Sequence, residues 1–170
     1  MLETSRLKLR LHRLEDFNFS HALWNQPQVY QFISRKPSSL QQSWSRLYNY
    51  LGHWQLRGYG YFLIEEKSSG RAIGEIGLAD FQRDLTPSLN LPFEAGWVIH
   101  PDFHGQGFAS EALEAILRWN EKRVGAQTYW CMIDAKNTAS LALAAKFKFS
   151  FSQEASYNGE AISLFTRLSF

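Results

Sequence analysis

The sequence predicts a mixed α/β domain in which one sheet carries helices on both faces. Three observations lead there. Short runs rich in branched and aromatic residues alternate with longer runs whose apolar residues recur every three or four positions. These runs succeed one another in the order βααβββαβαββ over 170 residues, a length suited to one domain. No internal repeat, linker or low-complexity segment divides the chain, so one domain over 1–170 is expected.

RLKLRLH, from Arg6 to His12, alternates polar and apolar residues as a half-buried strand does. Leu14 to Trp24 reads as a short helix with Glu15 and Asp16 in its first turn, and Pro27 and Pro37 punctuate the next stretch. From Ser39 to Arg57, Leu40, Trp44, Leu47, Tyr48, Leu51 and Trp54 recur at spacings of three and four, an amphipathic helix with aromatic bulk on one face. Tyr59 to Glu65 and Arg71 to Phe81 are strand-like, with the turn KSSG between them. Residues 82–92 hold two prolines and read as a loop. Phe93 to His100 is a strand ended by Pro101, Gly107 to Arg123 a helix, Gln127 to Asp134 a strand and Asn137 to Phe147 a short helix. Asn158-Gly159 favours a tight type I′ turn between two closing strands.

Composition narrows the function classes. Hydrophobic residues make up 45% of the chain, enough for a sizeable core. The 18 basic and 16 acidic residues leave a net charge of +2, and Lys and Arg are scattered. No electrostatic case for nucleic-acid binding exists on that balance. The lone Cys131 permits no intrachain disulfide, sits in an apolar run as a small buried hydrophobe would, and supports no metal site with five dispersed histidines. No apolar stretch approaches about 18 residues, so no membrane partner is expected and a soluble, cytoplasmic protein is. Trp24, Tyr30, Phe32, Trp44, Tyr48 and Trp54 are expected mostly in the core, with some walling a site, and Trp119 and Trp130 are assigned to the core.

The informative segment is WVIHPDFHGQGFASEA, from Trp97 to Ala112. A strand ends, Gly105 and Gly107 come next, and a helix begins. Glycine removes the Cβ, so main-chain N–H groups can approach an anion, and the helix dipole adds to the attraction. No G-x-x-x-x-G-K-[ST] string is present, and Gly105, Gly107 and Ser110 do not fit G-x-G-x-x-G. A purely structural turn is the plain alternative.

HGQGFASEAL, from His104 to Leu113, resembles the pyrophosphate motif Q/R-x-x-G-x-G/A of the GNAT superfamily of N-acetyltransferases, with Gly107 and Ala109 at its last fixed positions. The continuation S-E-A resembles the ribosomal-protein N-acetyltransferase (RimJ/RimL-type) branch, as do LETSRLKLR, AIGEIGL, EAGWVIHP and the N-x-x-S at Asn137 and Ser140. The resemblance covers nearly the whole chain in order. It implies a mostly antiparallel, splayed sheet of six or seven strands and acetyl-coenzyme A as co-substrate, with no metal. Three positions depart from the pattern: His104 replaces Gln or Arg, Lys148 replaces the glycine of a terminal G-F pair, and Ala144 stands where many members have a tyrosine that protonates the thiolate.

The resemblance further implies direct attack of a neutral amine on the thioester. The acceptor is a protein or peptide N-terminus or a small-molecule amine. An α-amine with a pKa near 7.7–8.0 is easier to deprotonate than a lysine near 10.4, by roughly 3.5 kcal/mol. Glu94, on the strand leading to the glycine loop, is the first candidate base, because alternation puts it with Gly96 and Val98 on one face. Glu75 is the reserve, and a water is the third possibility. Ser140 is expected to hydrogen-bond the thiol sulfur. Asn137 is expected to contact the pantetheine arm, although asparagine is also a good helix N-cap. Trp97, Val98 and Ile99 are expected along that arm, the last two through backbone groups. His104, Gly105, Gln106, Gly107, Phe108, Ala109 and Ser110 are expected around the diphosphate. Dimers are common in the branch, which leaves a homodimer open. Two other readings stay open: a non-catalytic acyl-coenzyme A-binding or sensing module, and an unrelated phosphate-binding domain.

Overall fold

The computed structural model describes residues 1–169. In chain order the elements are β1 (Leu2–Glu3), β2 (Leu7–Arg10), a 3₁₀ turn (Leu14–Asp16) running into α1 (Phe17–Trp24), α2 (Pro27–Tyr30), α3 (Leu40–Arg57), β3 (Tyr61–Glu66), β4 (Ala72–Ala79), β5 (Leu85–Thr86), β6 (Phe93–Ile99), α4 (Phe108–Val124), β7 (Thr128–Ile133), α5 (Thr138–Lys146), β8 (Ser150–Tyr157) and β9 (Glu160–Leu168). The strands form one sheet in the order β1-β2-β3-β4-β6-β7-β9-β8-β5. The seven strands expected from the sequence are present. The sheet has nine among the described residues because β1 and β5 join its edges, each two residues long and too short for periodicity to reveal. The four-residue α2, with Pro27 in its first turn, also went unread.

Every pairing is antiparallel except β6–β7, which is parallel and registers only at Phe93↔Tyr129 and Glu94↔Trp130. Beyond Glu94 the two strands part, so the sheet splays into a V whose apex lies at this pair.

One face of the sheet buries Phe62, Ile64, Ile76, Phe93, Ala95 and Tyr129 against Ala112, Leu113, Ile116 and Leu117 of α4 and Ala144 of α5. On the other face Val98 packs with Leu23, Trp24 and Val29, and Tyr50 stacks on Tyr61 at 4.7 Å. Cys131 is 1% exposed in the first core, where burial pushes its thiol pKa up. Trp24 and Trp130 are buried, and Trp54 and Trp119 pack partly buried against the main core. Tyr48, expected in the core, is 63% exposed on α3, because the helix is wider than its buried stripe.

Both central residues of the β8–β9 turn have positive φ, 53° at Asn158 and 81° at Gly159, as a type I′ turn requires. Lys148 occupies the left-handed position that closes α5, at φ 61°. Its N–H reaches the Ala145 carbonyl at 2.9 Å, and that of Phe149 reaches Ala144 at 3.0 Å. The turn keeps the shape a glycine would give it, at a backbone cost of about 1–2 kcal/mol.

Candidate active site

The V between β6 and β7 opens into a cleft of about 490 Å³. Its walls are the end of β6, the glycine loop and first turn of α4, the start of α5, and the segment 28–33 that comes after α1. Trp97, Val98, Ile99, His104, Gly105, Gly107, Phe108, Ala109, Ser110, Asn137 and Ser140 all line it. Gln106 does not: its carbonyl accepts from Arg6 Nη1 at 2.9 Å and its amide donates to the Asp102 carbonyl at 3.1 Å. Phe32 lines the cleft as well, so one of the N-terminal aromatics does wall it.

Gly105 and Gly107 hold φ of 74° and 81°, a left-handed backbone that turns the chain into α4. A Cβ on Gly105 would meet nothing within 4 Å, and one on Gly107 would lie 3.5 Å from Arg6 Nη2. Neither position is closely crowded, so the two glycines are needed for their left-handed backbone rather than for a close approach. The Glu111 N–H bonds the Gly107 carbonyl at 3.0 Å, which begins the α4 ladder. The N–H groups before it have no intrahelical partner and point out of the helix end, where an anion is favoured.

Sequence reasoning missed what braces this loop. Glu111 accepts hydrogen bonds from Thr4 Oγ1 (2.5 Å), Ser5 Oγ (3.1 Å), Arg6 N–H (2.9 Å) and Arg6 Nε (2.7 Å). Burial works against its charge, but those donors outweigh it and hold the carboxyl at about 2. Arg6 thus ties the first turn of α4 to the loop carbonyl of Gln106. The signal was the pairing of TSR at the N-terminus with the glutamate of SEA.

His104 turns its Nε2 to the Ile99 carbonyl, 2.8 Å away, rather than standing clear over the loop. The backbone of β6 also differs from expectation. His100 N–H donates to the Ile73 carbonyl at 2.8 Å, so by alternation His100 and Val98 direct their backbone groups at β4, while Trp97 and Ile99 direct theirs into the V. Val98 offers the cleft its side chain, not its peptide groups.

Asn137 caps α5, its Oδ1 accepting from Ser140 N–H at 3.1 Å, which leaves the side-chain amide N–H groups for a ligand. Ser140 Oγ accepts from Trp97 Nε1 at 3.2 Å, a bond that crosses the V.

The two candidate bases are both buried. Glu94 shares a face with Gly96 and Val98 as alternation requires, but that face is covered, and the side chain is absent from the cleft lining. It is 4% exposed, and Arg83 clamps both oxygens, Nε–Oε2 at 2.6 Å and Nη2–Oε1 at 2.7 Å. Burial raises its pKa above the ordinary carboxylate value, and the Arg83 bonds pull back only in part. Arg83 comes from the loop read only as loop, and it also donates to Tyr157 Oη at 2.9 Å. Glu75 is fully buried; Trp24 Nε1 donates to its Oε2 at 2.7 Å, and His12 Nε2 stands 3.3 Å from Oε1. Burial works to raise its pKa, but contacts with His12, Ser20 and Trp24 outweigh that and hold it low. Among the described residues no cluster of His, Cys, Asp and Glu could hold a metal ion, and no helix is long and apolar enough to cross a membrane.

A model of the acetyltransferase (GNAT) domain matches residues 6–150. The chain belongs to the GNAT acetyltransferase family. A GnaT-family acetyltransferase structure from Bordetella pertussis is similar to this acetyltransferase at 28% identity and a TM-score of 0.85, covering 98% of each chain. The uncharacterized N-acetyltransferase p20 of Bacillus licheniformis is 24% identical over 149 residues, 87% of this chain and 81% of p20. Fold neighbours include RimL, a ribosomal L7/L12 α-N-protein acetyltransferase solved with coenzyme A, at 18% identity and a TM-score of 0.76 over 97% of this chain and 95% of that one.

Proposed function

We propose that this GNAT chain transfers acetyl from acetyl-coenzyme A to a primary amine, of a peptide or protein N-terminus or of a small molecule, by direct attack on the thioester. The observation that carries the proposal is the cleft itself. An open helix N-terminus lies at one end, and β6 backbone groups that no β7 residue pairs lie along it with the Ser140 hydroxyl. The coenzyme A held by the RimL neighbour supports the same reading.

In this proposal the N–H groups of the Gly105–Ser110 segment hold the diphosphate, with Arg6 and Glu111 keeping the loop in shape. Trp97 bonds the pantetheine arm through its main-chain carbonyl and Ile99 through its N–H, the Ile99 carbonyl being engaged by His104. The main-chain N–H of Trp97, three residues beyond the apex pair, is the donor assigned to the oxyanion. Asn137 contacts the arm by its free amide. The proton leaving the amine goes to a water or to Glu94, and the second route requires Arg83 to move off the carboxylate. An α-amine, near neutrality in its pKa, needs the weaker base and suits a site whose carboxylates are both engaged.

The test is thiol release from acetyl-coenzyme A across a panel of peptides with free N-termini, polyamines and small amines. Release with at least one amine is expected, and tight coenzyme A binding with no release from any would leave the second reading, a non-catalytic acyl-coenzyme A module. The clamped Glu94 and the inturned His104 are the observations that favour that second reading. Displacement by ATP as readily as by coenzyme A would refute both.

A further inference from the structure

We infer that Trp97 is a positioning residue whose indole N–H fixes the Ser140 hydroxyl as a hydrogen-bond donor to the departing sulfur. The inference rests on the acetyl-transfer reading and adds to it the orientation of one proton. Trp97 Nε1 lies 3.2 Å from Ser140 Oγ. An indole N–H can only donate, so the serine oxygen must accept from it. A serine hydroxyl has a single hydrogen, and that hydrogen is then left for another acceptor.

Two features direct it into the cleft. A helical serine commonly donates back to the carbonyl four residues earlier, here Lys136. Among the described residues Ser140 Oγ makes no bond to that carbonyl or to any other. Ser140 also stands in the first turn of α5, its own N–H capped by Asn137, so the positive end of the helix lies behind the hydroxyl. Both Trp97 and Ser140 line the cleft.

The chemistry gives that hydrogen a purpose. As the amine nitrogen bonds the acyl carbon, the carbon–sulfur bond breaks and its electron pair goes to sulfur. The amine's proton leaves to base or water. Ser140 gives up no proton; it donates a hydrogen bond to the growing thiolate. Charge on sulfur exists mainly in the transition state, so the bond should raise kcat rather than lower KM.

The experiment compares Trp97→Phe, Ser140→Ala and the double variant, each confirmed as folded by its melting transition. Trp97→Phe should lower kcat roughly 3- to 10-fold, the size of one hydrogen bond, with coenzyme A affinity within about twofold. In the Ser140→Ala background it should cost nothing further, because the two residues act as one unit. The thiol of bound coenzyme A, titrated by its ultraviolet thiolate absorbance, should have a higher pKa in Trp97→Phe than in the parent. If phenylalanine loosens the fold, Trp97→Leu serves, since it too is apolar and carries no donor. A Trp97→Phe enzyme with parental kcat, full additivity with Ser140→Ala, or an unmoved thiol pKa would each overturn the inference. A parent protein that releases no thiol from any amine would instead overturn the acetyl-transfer reading, and the thiol titration would still test Trp97.

Discussion

Replacing Arg83 by methionine should destabilise the protein in a way that depends on pH. The guanidinium makes two short bonds to Glu94, donates to Tyr157 and lies over the rings of Phe81 and Tyr157, with centroids 4.6 and 5.0 Å away. Methionine keeps some of the apolar stem and removes every donor, leaving a carboxylate 4% exposed and unpaired. Breaking one side of a buried pair costs about 3–5 kcal/mol. Linkage gives that cost its pH dependence. Burial already raises the Glu94 pKa in the folded protein, and without Arg83 only the smaller pull of His53 opposes it. Above the unfolded value, about 4.3, the unfolded chain ionises while the folded one holds its proton, so stability falls by about 1.36 kcal/mol per pH unit until the folded pKa is passed. A deficit of 3–5 kcal/mol therefore accumulates over roughly two to four pH units. Urea unfolding at about pH 4.5 and about pH 8 is the assay. The deficit should be small at the lower pH and full at the higher, and Arg83→Met/Glu94→Gln should abolish the difference. A deficit equal at both pH values, or below about 1 kcal/mol at pH 8, would refute the argument that Arg83 neutralises a buried charge.

The same geometry predicts further outcomes. Glu111→Gln should weaken coenzyme A binding and flatten the acid limb of the stability profile. The parent carboxylate, held at about 2, contributes stability in full above its unfolded pKa of about 4.3 and loses it as pH falls from there through about 2; titration calorimetry and acid unfolding read the two effects. Gly107→Val should cost coenzyme A affinity roughly tenfold or more, because a branched side chain resists φ near 81° and crowds Arg6, whereas Gly105→Ala should cost less. Glu94→Gln in the intact protein should lower kcat roughly 10²–10⁴-fold if that carboxylate takes the proton, and leave it nearly unchanged if a water does.

Much of this molecule can be read along the chain because the signals are local. The family resemblance rests on HGQGFASEA and its neighbours in order, and a glycine turn followed by a helix start determines where unbonded N–H groups collect. Asn158-Gly159 specifies its turn by backbone sterics alone. Alternation correctly put Glu94 on the face of Val98, and the capping preference of asparagine marked Asn137 as a helix N-cap. Tertiary structure decided what those groups meet. Arg83 reaches Glu94 from a loop without helix or strand periodicity, Arg6 reaches Glu111 across 105 residues, and Trp97 reaches Ser140 across the V. A period of two or 3.6 fixes the direction in which a side chain leaves its own element. Whether that direction ends in water, in a counter-ion or in a ligand's path depends on the register and splay of strands distant in sequence, and no local pattern encodes those.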